Sequence, residues 1–333
     1  MAMELIFTIL ILSVILVNGW TDAPNAISTC ISTRSLSPGA ALALAAICNF
    51  SGSVVMALIN SKVAQTIFNI VDFGSDNATA ISSLCAGMFA VVIWALIAWR
   101  FGIPTSESHA LVSGITGAAI ASNMSFSAIN ISEWKLIIFG LIFSTIPSVL
   151  LARVIYSAMI RLLGNFDRRK TMKYFMRTQR FSAASSAFLH GAQDSQKFMG
   201  IFMLGFYLIN NNSIGDTFEI PTVIIIICAT VMTLGTLIGG GRIIKKVGME
   251  MVSLDATGGT AADMASSAIL MLCSYFGIPV STTHSKACAM MGVGTQKMGG
   301  GTDKKIVFQM LTAWLLTFPI CALIGFLLAF FIR

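Results

Sequence analysis

The sequence predicts an all-α polytopic membrane protein of two inverted-topology repeats, each of about five membrane elements, with broken helices and possible re-entrant hairpins. Three observations lead to this fold class. The mean hydropathy is +0.84, and 56% of the 333 residues are apolar while 11% are charged, which excludes an ordinary soluble domain. Two motifs of the first half recur in the second half, and the basic residues gather on alternate loops.

The first duplicated motif interrupts an apolar run that would otherwise cross a bilayer. It reads NGWTDAPN (18–25), and its counterpart HGAQDSQK (190–197) lies 172 positions further along the chain. Asp22 matches Asp194, and Lys197 takes the place of an asparagine. An ionised aspartate inside a membrane segment costs at least about 2.5 kcal/mol and therefore normally faces a partner or a cavity. We expect both aspartates to be functional.

The second duplicated motif is GIPTSESH (102–109), which matches GIPVSTTH (277–284) at an offset of 175 positions. Both copies continue into helical sequence rich in small residues. Two different motifs that recur in one order at nearly one spacing indicate an internal duplication.

Ten apolar elements of roughly the ~20 residues that a spanning helix needs follow one another along the chain. In the first half they cover approximately 4–31 (broken at the motif), 38–60, 78–99, 103–122 and 135–163. In the second half they cover approximately 182–210 (also broken), 220–240, 258–276, 279–296 and 306–332. The two GIP-containing elements are short and rich in Gly, Ser and Thr, so each is either a span or a re-entrant hairpin.

The basic residues predict the orientation in the cell membrane. With the N-terminus outside, fifteen Lys and Arg fall in the cytoplasm: Arg34, Arg100, Arg161, Arg168, Arg169, Lys170, Lys173, Arg177, Arg180, Arg242, Lys245, Lys246, Lys297, Lys304 and Lys305. Three fall outside: Lys62, Lys135 and Arg333. Because each half has an odd number of crossings, the halves must point in opposite directions. We expect an N-terminal repeat (1–163), a basic cytoplasmic linker (164–181) and a C-terminal repeat (182–333), with both termini outside.

The motifs predict an anion site between the repeats. Inverted repeats with interrupted helices place their substrate at the repeat interface near mid-bilayer, and the start of a half-helix offers unpaired N–H groups to an oxyanion. We expect Asp22 to cap such a start, with Pro24 in the first helical turn. The candidate anion ligands are Thr105, Ser106, Ser108, Ser281, Thr282, Thr283 and Lys197. The alternative role of the hydroxyls is helix capping and packing.

Carboxylates beside an anion require a cation. Na⁺ would take oxygen ligands from Asp22 with Asn25, and from Asp194 with Gln193 or Ser195. Protonated carboxyl groups would serve equally if the coupling ion is H⁺. Lys197 has three possible roles: to neutralise Asp194, to substitute for one cation, or to touch the anion directly.

Three further side chains are expected inside the membrane. His109 and His284 occupy matching positions of the GIP motifs, and hydrogen bonds from one helix to another explain them better than a metal does. Lys286 would add positive potential to the cavity.

The motifs also resemble those of the PiT inorganic phosphate transporters. NGWTDAPNAIST resembles the first family signature, and HGAQDSQKFMGI resembles its bacterial second signature. GIPTSESHALVSG, GIPVSTTHSKACAMMGVG and GGGRIIKKVGMEMVSLDATGGTAAD are similar to further family segments. The resemblance implies cation-coupled phosphate uptake by a homodimer, in which a transport domain moves against a scaffold. It implies no cofactor besides the co-transported Na⁺ or H⁺, and no nucleic-acid partner.

The resemblance also assigns roles to single residues. Asp22 and Asp194 match the essential aspartates of the family, and Ser106 and Ser281 match its substrate-site serines. Asn49 falls where some members carry a glutamate, which places it in the cation set and leaves the identity of the cation open.

Three other functions remain open at this point: a sulfate permease of the same family, an anion channel and an intramembrane enzyme. Phosphate at neutral pH keeps a proton that it can donate, whereas sulfate does not. Glu107, a candidate acceptor for that proton, would therefore discriminate between the two anions. No HExxH or GxSxG string occurs, which argues against an enzyme.

Overall fold

The computed structural model describes residues 2–74, 76–163, 166–210, 218–296 and 301–332. The described chain is helical apart from short connections, and its extended pairings are two isolated bridges, Val71–Ile129 and Val252–Thr302. The predicted all-α class is therefore confirmed.

The helices lie close to the predicted elements. The first half contains α1 (Ala2–Thr21), α2 (Ala23–Ser32), α3 (Pro38–Ile59), α4 (Lys62–Phe68), α5 (Asn77–Arg100), α6 (Glu107–Asn123) and α7 (Ile131–Leu163). The second half contains α8 (Arg168–Asn210), α9 (Thr222–Ile238), α10 (Gly241–Met251), α11 (Ala256–Phe276), α12 (Thr282–Gly294) and α13 (Lys304–Ile332). α10 is bent by 60° from α9, and most of it has π-type geometry.

Five stretches are long and apolar enough to cross a membrane by themselves: Met3–Ser32, Pro38–Ile59, Asn77–Arg100, Ile131–Leu162 and Lys304–Ile332. The bent pair of α9 and α10 adds a sixth. The helices that fail this test, such as α6 and α12, are shorter or more polar. They are also the helices that carry most of the buried polar residues.

The first GIP-containing segment leads from the end of α5 back toward its start. At one end, the side chain of Asn60 donates to the Tyr275 carbonyl, and that of Asn123 donates to the Asp72 carbonyl. At the opposite end, the Arg242 side chain donates to the Arg100 carbonyl. α5 therefore ends where the first GIP segment begins, and α6 leaves at the other end. The first GIP segment and α6 therefore run back along α5 after a non-helical start.

The two predicted helix breaks differ from each other. At the first motif the break is the single residue Asp22, whose backbone remains in the right-handed helical region and whose side chain makes no capping hydrogen bond. The expected capping role of Asp22 is therefore wrong. α8 runs without interruption through 190–197, so the second predicted break is also wrong.

The packing relates the two halves by an approximate two-fold symmetry. α1 packs on α9 of the other half, and α8 correspondingly packs on α3. Glycines allow both contacts to be close. A Cβ added to Gly19 would lie 2.2 Å from the carbonyl oxygen of Met232, and a Cβ added to Gly191 would lie 2.2 Å from the carbonyl oxygen of Asn49. α6 likewise packs on α13, and α12 on α7. This reciprocal exchange is what two repeats related by a two-fold axis require.

The predicted connector between the halves is mostly helical. α7 ends at Leu163 and α8 begins at Arg168, so residues 168–181 form the first turns of α8. Residues 164 and 165 lie outside the described part of the chain, as do Lys297, Arg333 and the side chains of Arg168, Arg169 and Lys170. The boundary of the linker stays a prediction.

Candidate functional site

The duplicated motifs meet in the interior as two related clusters of polar side chains. The first half-site consists of Asp22, Asn25, Glu107 and Thr283. The second half-site consists of Asp194, Lys197, Ser108 and Thr282. All eight side chains are buried. α6 and α12 start beside these clusters. Ser106 and Ser281 cap the two helices, because each accepts a hydrogen bond from a backbone N–H in the first turn, that of His109 or His284 respectively.

In the first half-site, Asp22 is held by groups from both repeats. One carboxylate oxygen accepts from the Thr283 hydroxyl at 3.0 Å, and the other accepts from the Glu107 backbone N–H at 3.4 Å. The Asn25 amide donates to the Thr283 hydroxyl oxygen at 3.0 Å. Thr21 donates to one oxygen of Glu107. Asp22, at the end of α1, thus contacts both α6 and α12.

In the second half-site, Lys197 makes the central contacts. Its ammonium donates to Asp194 Oδ1 at 2.6 Å, to the Ser108 hydroxyl oxygen at 2.7 Å and to the Val280 carbonyl. Asp194 Oδ2 accepts from the Thr282 hydroxyl at 3.1 Å. The pair of opposite charges is fully buried, so its geometry and its additional hydrogen bonds must offset the cost of desolvation.

The half-sites share residues crosswise. Thr283 of the second repeat touches Asp22 of the first, and Ser108 of the first repeat touches Lys197 of the second. Thr283 and Ser108 occupy matching positions of the duplicated GIP motif. Each half-site therefore needs both halves of the chain.

Several predicted ligands lie beside the half-sites and not in them. Gln193 donates to Ser274 at 3.0 Å and to the Ile278 carbonyl, away from Asp194. Asn49 lies 3.2 Å from His190 Nδ1, and the other ring nitrogen of His190 lies 3.2 Å from Asp194 Oδ2. Asn49 thus reaches the aspartate only through a histidine.

Ser195 and Thr105 complete the set of predicted residues. Ser195 faces Ser53 and the Met232 sulfur and does not reach Asp194. Thr105 is buried in the non-helical stretch before α6.

Buried oxygens without a hydrogen-bond donor collect around these residues. Among the described residues they include Asn18 Oδ1, Asn25 Oδ1, Glu107 Oε2 and Gln193 Oε1. Buried acceptors are rarely left unpaired in folded proteins. Such oxygens suit a cation or a proton-bearing ligand, which is the chemistry that the sequence predicts here.

A second buried ion pair, which sequence reasoning missed in part, lies next to the half-sites. The Lys286 ammonium pairs with Asp263 and also donates to the Ala26 carbonyl at 2.9 Å. Asp263 accepts from Thr29 at 2.8 Å. Lys286 of this pair and Asn25 and Thr282 of the half-sites border one small void, which is also lined by Ala26, Ser186, His190 and Leu270. Asp263 has no counterpart in the first repeat, so the duplication gave no signal for it.

The two motif histidines meet ring to ring. The centroids of His109 and His284 are 4.5 Å apart, and His284 also packs on Trp314 at 3.7 Å. Neither ring nitrogen of His284 has a hydrogen-bond partner in the described chain, so its predicted helix-to-helix hydrogen bond is wrong. No group of three or more His, Cys, Asp or Glu side chains in the described ranges is arranged to hold a metal ion.

The paired motifs and their crosswise half-sites agree with a comparison against family models. The model described as "Phosphate transporter family" matches residues 18–172 and again residues 163–325. The chain belongs to this family. The double match covers most of the chain and divides it into two similar segments, as the duplicated motifs predict.

Curated relatives agree with this assignment. A "probable low-affinity inorganic phosphate transporter" of Bacillus subtilis (strain 168) is 38% identical over 334 residues, which cover 98% of this chain and 97% of the relative. A protein of the same description from Rhizobium meliloti (strain 1021) is 32% identical and covers 94% and 91% of the two chains. The phosphate transporter family member described here is thus a multi-pass membrane protein and not an enzyme.

A solved structure, "The sodium-dependent phosphate transporter", superimposes with a TM-score of 0.90 over 100% of this chain and 99% of the other. The two sequences are 20% identical, so this likeness concerns the fold alone.

Proposed function

We propose that the protein imports inorganic phosphate together with Na⁺ or H⁺ by alternating access. The observation that carries the proposal is the crosswise construction of the half-sites, in which Asp22 contacts Thr283 and Lys197 contacts Ser108. Because each half-site contains groups from both repeats, a movement of one repeat against the other changes both half-sites together. Family membership supports phosphate as the substrate.

The phosphate ligands in this proposal are the hydroxyls and helix starts of the duplicated GIP motifs. They comprise Thr105, Ser106, Ser108, Ser281, Thr282 and Thr283. α6 and α12 start beside the half-sites, and the backbone N–H groups there that neither the caps nor Asp22 occupy favour a bound oxyanion. Ser106 and Ser281 accept from the backbone N–H groups of His109 and His284, which leaves each hydroxyl hydrogen free to donate to the phosphate.

The coupling cation is assigned to the first half-site. Asp22 supplies charge, and the unpaired Asn25 Oδ1 supplies a neutral oxygen, as a hard cation requires. Gln193 and Asn49, the other predicted cation ligands, lie beside the second half-site: Asn49 contacts His190, which contacts Asp194, and Gln193 bonds to Ser274. Glu107 is assigned to selectivity.

The distribution of basic residues supports the proposed orientation. Among the described residues, Arg34, Arg100, Arg161, Lys173, Arg177, Arg180, Arg242, Lys245, Lys246, Lys304 and Lys305 all lie toward the end where α2 and α5 finish. Lys62 and Lys135 lie toward the other end. We place the basic end in the cytoplasm, both termini outside and the protein in the cell membrane as a homodimer surrounded by lipid.

The test is uptake of labelled phosphate into proteoliposomes with Na⁺ and H⁺ gradients imposed separately and sulfate as competitor. We expect accumulation driven by one of the two gradients. Asp22→Asn and Asp194→Asn should each abolish gradient-driven uptake, while the protein still inserts in the membrane, because Asp22 supplies the charge for the coupling cation and Asp194 is the buried partner of Lys197. Phosphate flux that only equilibrates, whatever gradient is imposed, would identify a channel and end the proposal.

A further inference from the structure

The two half-sites differ at one position that the duplication relates. Asn25 of the first motif corresponds to Lys197 of the second. The Asn25 amide nitrogen lies 3.0 Å from the Thr283 hydroxyl oxygen, and the Lys197 ammonium nitrogen lies 2.7 Å from the Ser108 hydroxyl oxygen. Since Thr283 and Ser108 are themselves related by the duplication, the lysine replaces the asparagine in the same geometry.

The surroundings of the Lys197 ammonium are those of a bound cation. Its three partners are a carboxylate oxygen of Asp194, a hydroxyl oxygen of Ser108 and the backbone carbonyl of Val280. Hard cations take this mixture of oxygen ligands in proteins. An ammonium group has three N–H donors, so all of them are used inside the protein.

The charges of the half-sites are correspondingly unequal. The first half-site has two carboxylates, Asp22 and Glu107, and in the described chain no lysine or arginine forms an ion pair with either of them. The second half-site has one carboxylate, Asp194, and carries its own positive charge on Lys197. Asn25 Oδ1 is a buried acceptor without a donor. The related side chain, Lys197, is also buried, but it has no acceptor atom that could be left unpaired.

We propose that Lys197 replaces one of two coupling cations, so that the protein moves phosphate with a mobile cation at the Asp22 half-site only. The ammonium neutralises Asp194 in every conformation and never leaves with the substrate. The inference rests on the proposed function and adds its stoichiometry: one coupled cation fewer per phosphate than a carrier with asparagine at both positions.

The first measurement uses the wild-type protein in proteoliposomes. At equilibrium and zero membrane potential, each coupled monovalent cation multiplies the phosphate accumulation ratio by the imposed cation ratio. With phosphate counted as one ionic species, a tenfold gradient of the driving cation should therefore give about tenfold accumulation. Accumulation near a hundredfold would require two mobile cations and would overturn the inference, although coupled phosphate transport itself would stand. Absence of any gradient-driven accumulation would instead reject the proposed function.

The second measurement compares exchanged side chains. Lys197→Asn should bring a second mobile cation into the cycle, so that the accumulation ratio at the same tenfold gradient rises by about tenfold over wild type. Asn25→Lys fills the first half-site with an ammonium and should leave phosphate–phosphate exchange that no cation gradient drives. The double variant Asn25→Lys/Lys197→Asn moves the fixed charge to the other half-site and should return the wild-type ratio. A Lys197→Asn protein that accumulates phosphate only to the wild-type ratio would contradict the inference.

Discussion

Glu107 is the residue to which we assign the choice between phosphate and sulfate. It is buried at the first turn of α6, and one of its carboxylate oxygens accepts from Thr21. The other oxygen has no donor in the described chain. This oxygen is available to accept a hydrogen bond from the P–OH group of phosphate. Fully ionised sulfate has no O–H group and cannot donate this bond.

Glu107→Gln should therefore relax the discrimination against sulfate. The amide replaces one acceptor oxygen by a donor, and loss of a hydrogen bond to a charged group is worth about 1.5–3 kcal/mol, so sulfate should compete about tenfold better or more. The measurement is inhibition of labelled phosphate uptake by sulfate in proteoliposomes. Glu250→Gln is the matched control, because Glu250 is partly exposed and pairs with Lys245 far from the half-sites. Equal sulfate inhibition of wild type and Glu107→Gln would remove Glu107 from substrate selection.

At this scale, the polar residues of the motifs could be predicted from sequence, and their partners in the folded chain could not. Asp22 and Asp194 were identifiable because each stands in a duplicated motif inside an apolar run. Asp263 lies outside the duplicated motifs, and the motif around Thr21 does not indicate its partner; only the folded chain brings Asp263 to Lys286 and Thr21 to Glu107. The partners of a buried charge depend on tertiary packing, which a local pattern does not contain.

At the scale of helices, a single proline explains why only one motif interrupts its helix. Pro24 lacks a backbone N–H and its ring crowds the preceding turn, so α1 ends at Thr21 and α2 begins at Ala23. The related position in the second motif is Gln196, which has a normal N–H, and α8 continues through it. The similarity of the two motifs therefore did not predict a similar backbone conformation, because the proline that breaks the first helix is not present in the second motif.

The close contact between α8 and α3 can be tested by adding a methyl group at Gly191. A Cβ at Gly191 would lie 2.2 Å from the Asn49 carbonyl oxygen, where backbone cannot move aside without separating the helices. Gly191→Ala should therefore lower the thermal stability of the purified protein and reduce phosphate uptake. A destabilisation of about 1–3 kcal/mol is typical of such overpacking. Gly39→Ala is the control, since nothing lies within 4 Å of its added Cβ. Wild-type stability of Gly191→Ala would show that the two helices do not pack as closely as described.

At the scale of the whole molecule, the two halves are interleaved and not placed side by side. α7 of the first half packs on α12, and α13 of the second half packs on α6. The duplication predicted two halves of opposite direction, but hydropathy carries no information about which helix of one half touches which helix of the other. That information lies in the small residues at the contacts. For example, a Cβ at Gly117 would lie 2.0 Å from the Ala322 carbonyl oxygen, and one at Gly292 would lie 2.4 Å from that of Val149.

The orientation of this interleaved molecule gives a prediction for intact cells. Lys62 and Lys245 are exposed side chains at opposite ends of the molecule; Lys62 is the first residue of α4, and Lys245 lies within α10. With the basic end in the cytoplasm, a membrane-impermeant maleimide should label Lys62→Cys in intact cells and should label Lys245→Cys only after permeabilisation. The unmodified protein gives the background, which should be low because six of its seven cysteines are buried and Cys48 is partly buried. If Lys245→Cys reacts in intact cells while Lys62→Cys does not, the molecule is inserted the other way, and phosphate would meet the opposite end first.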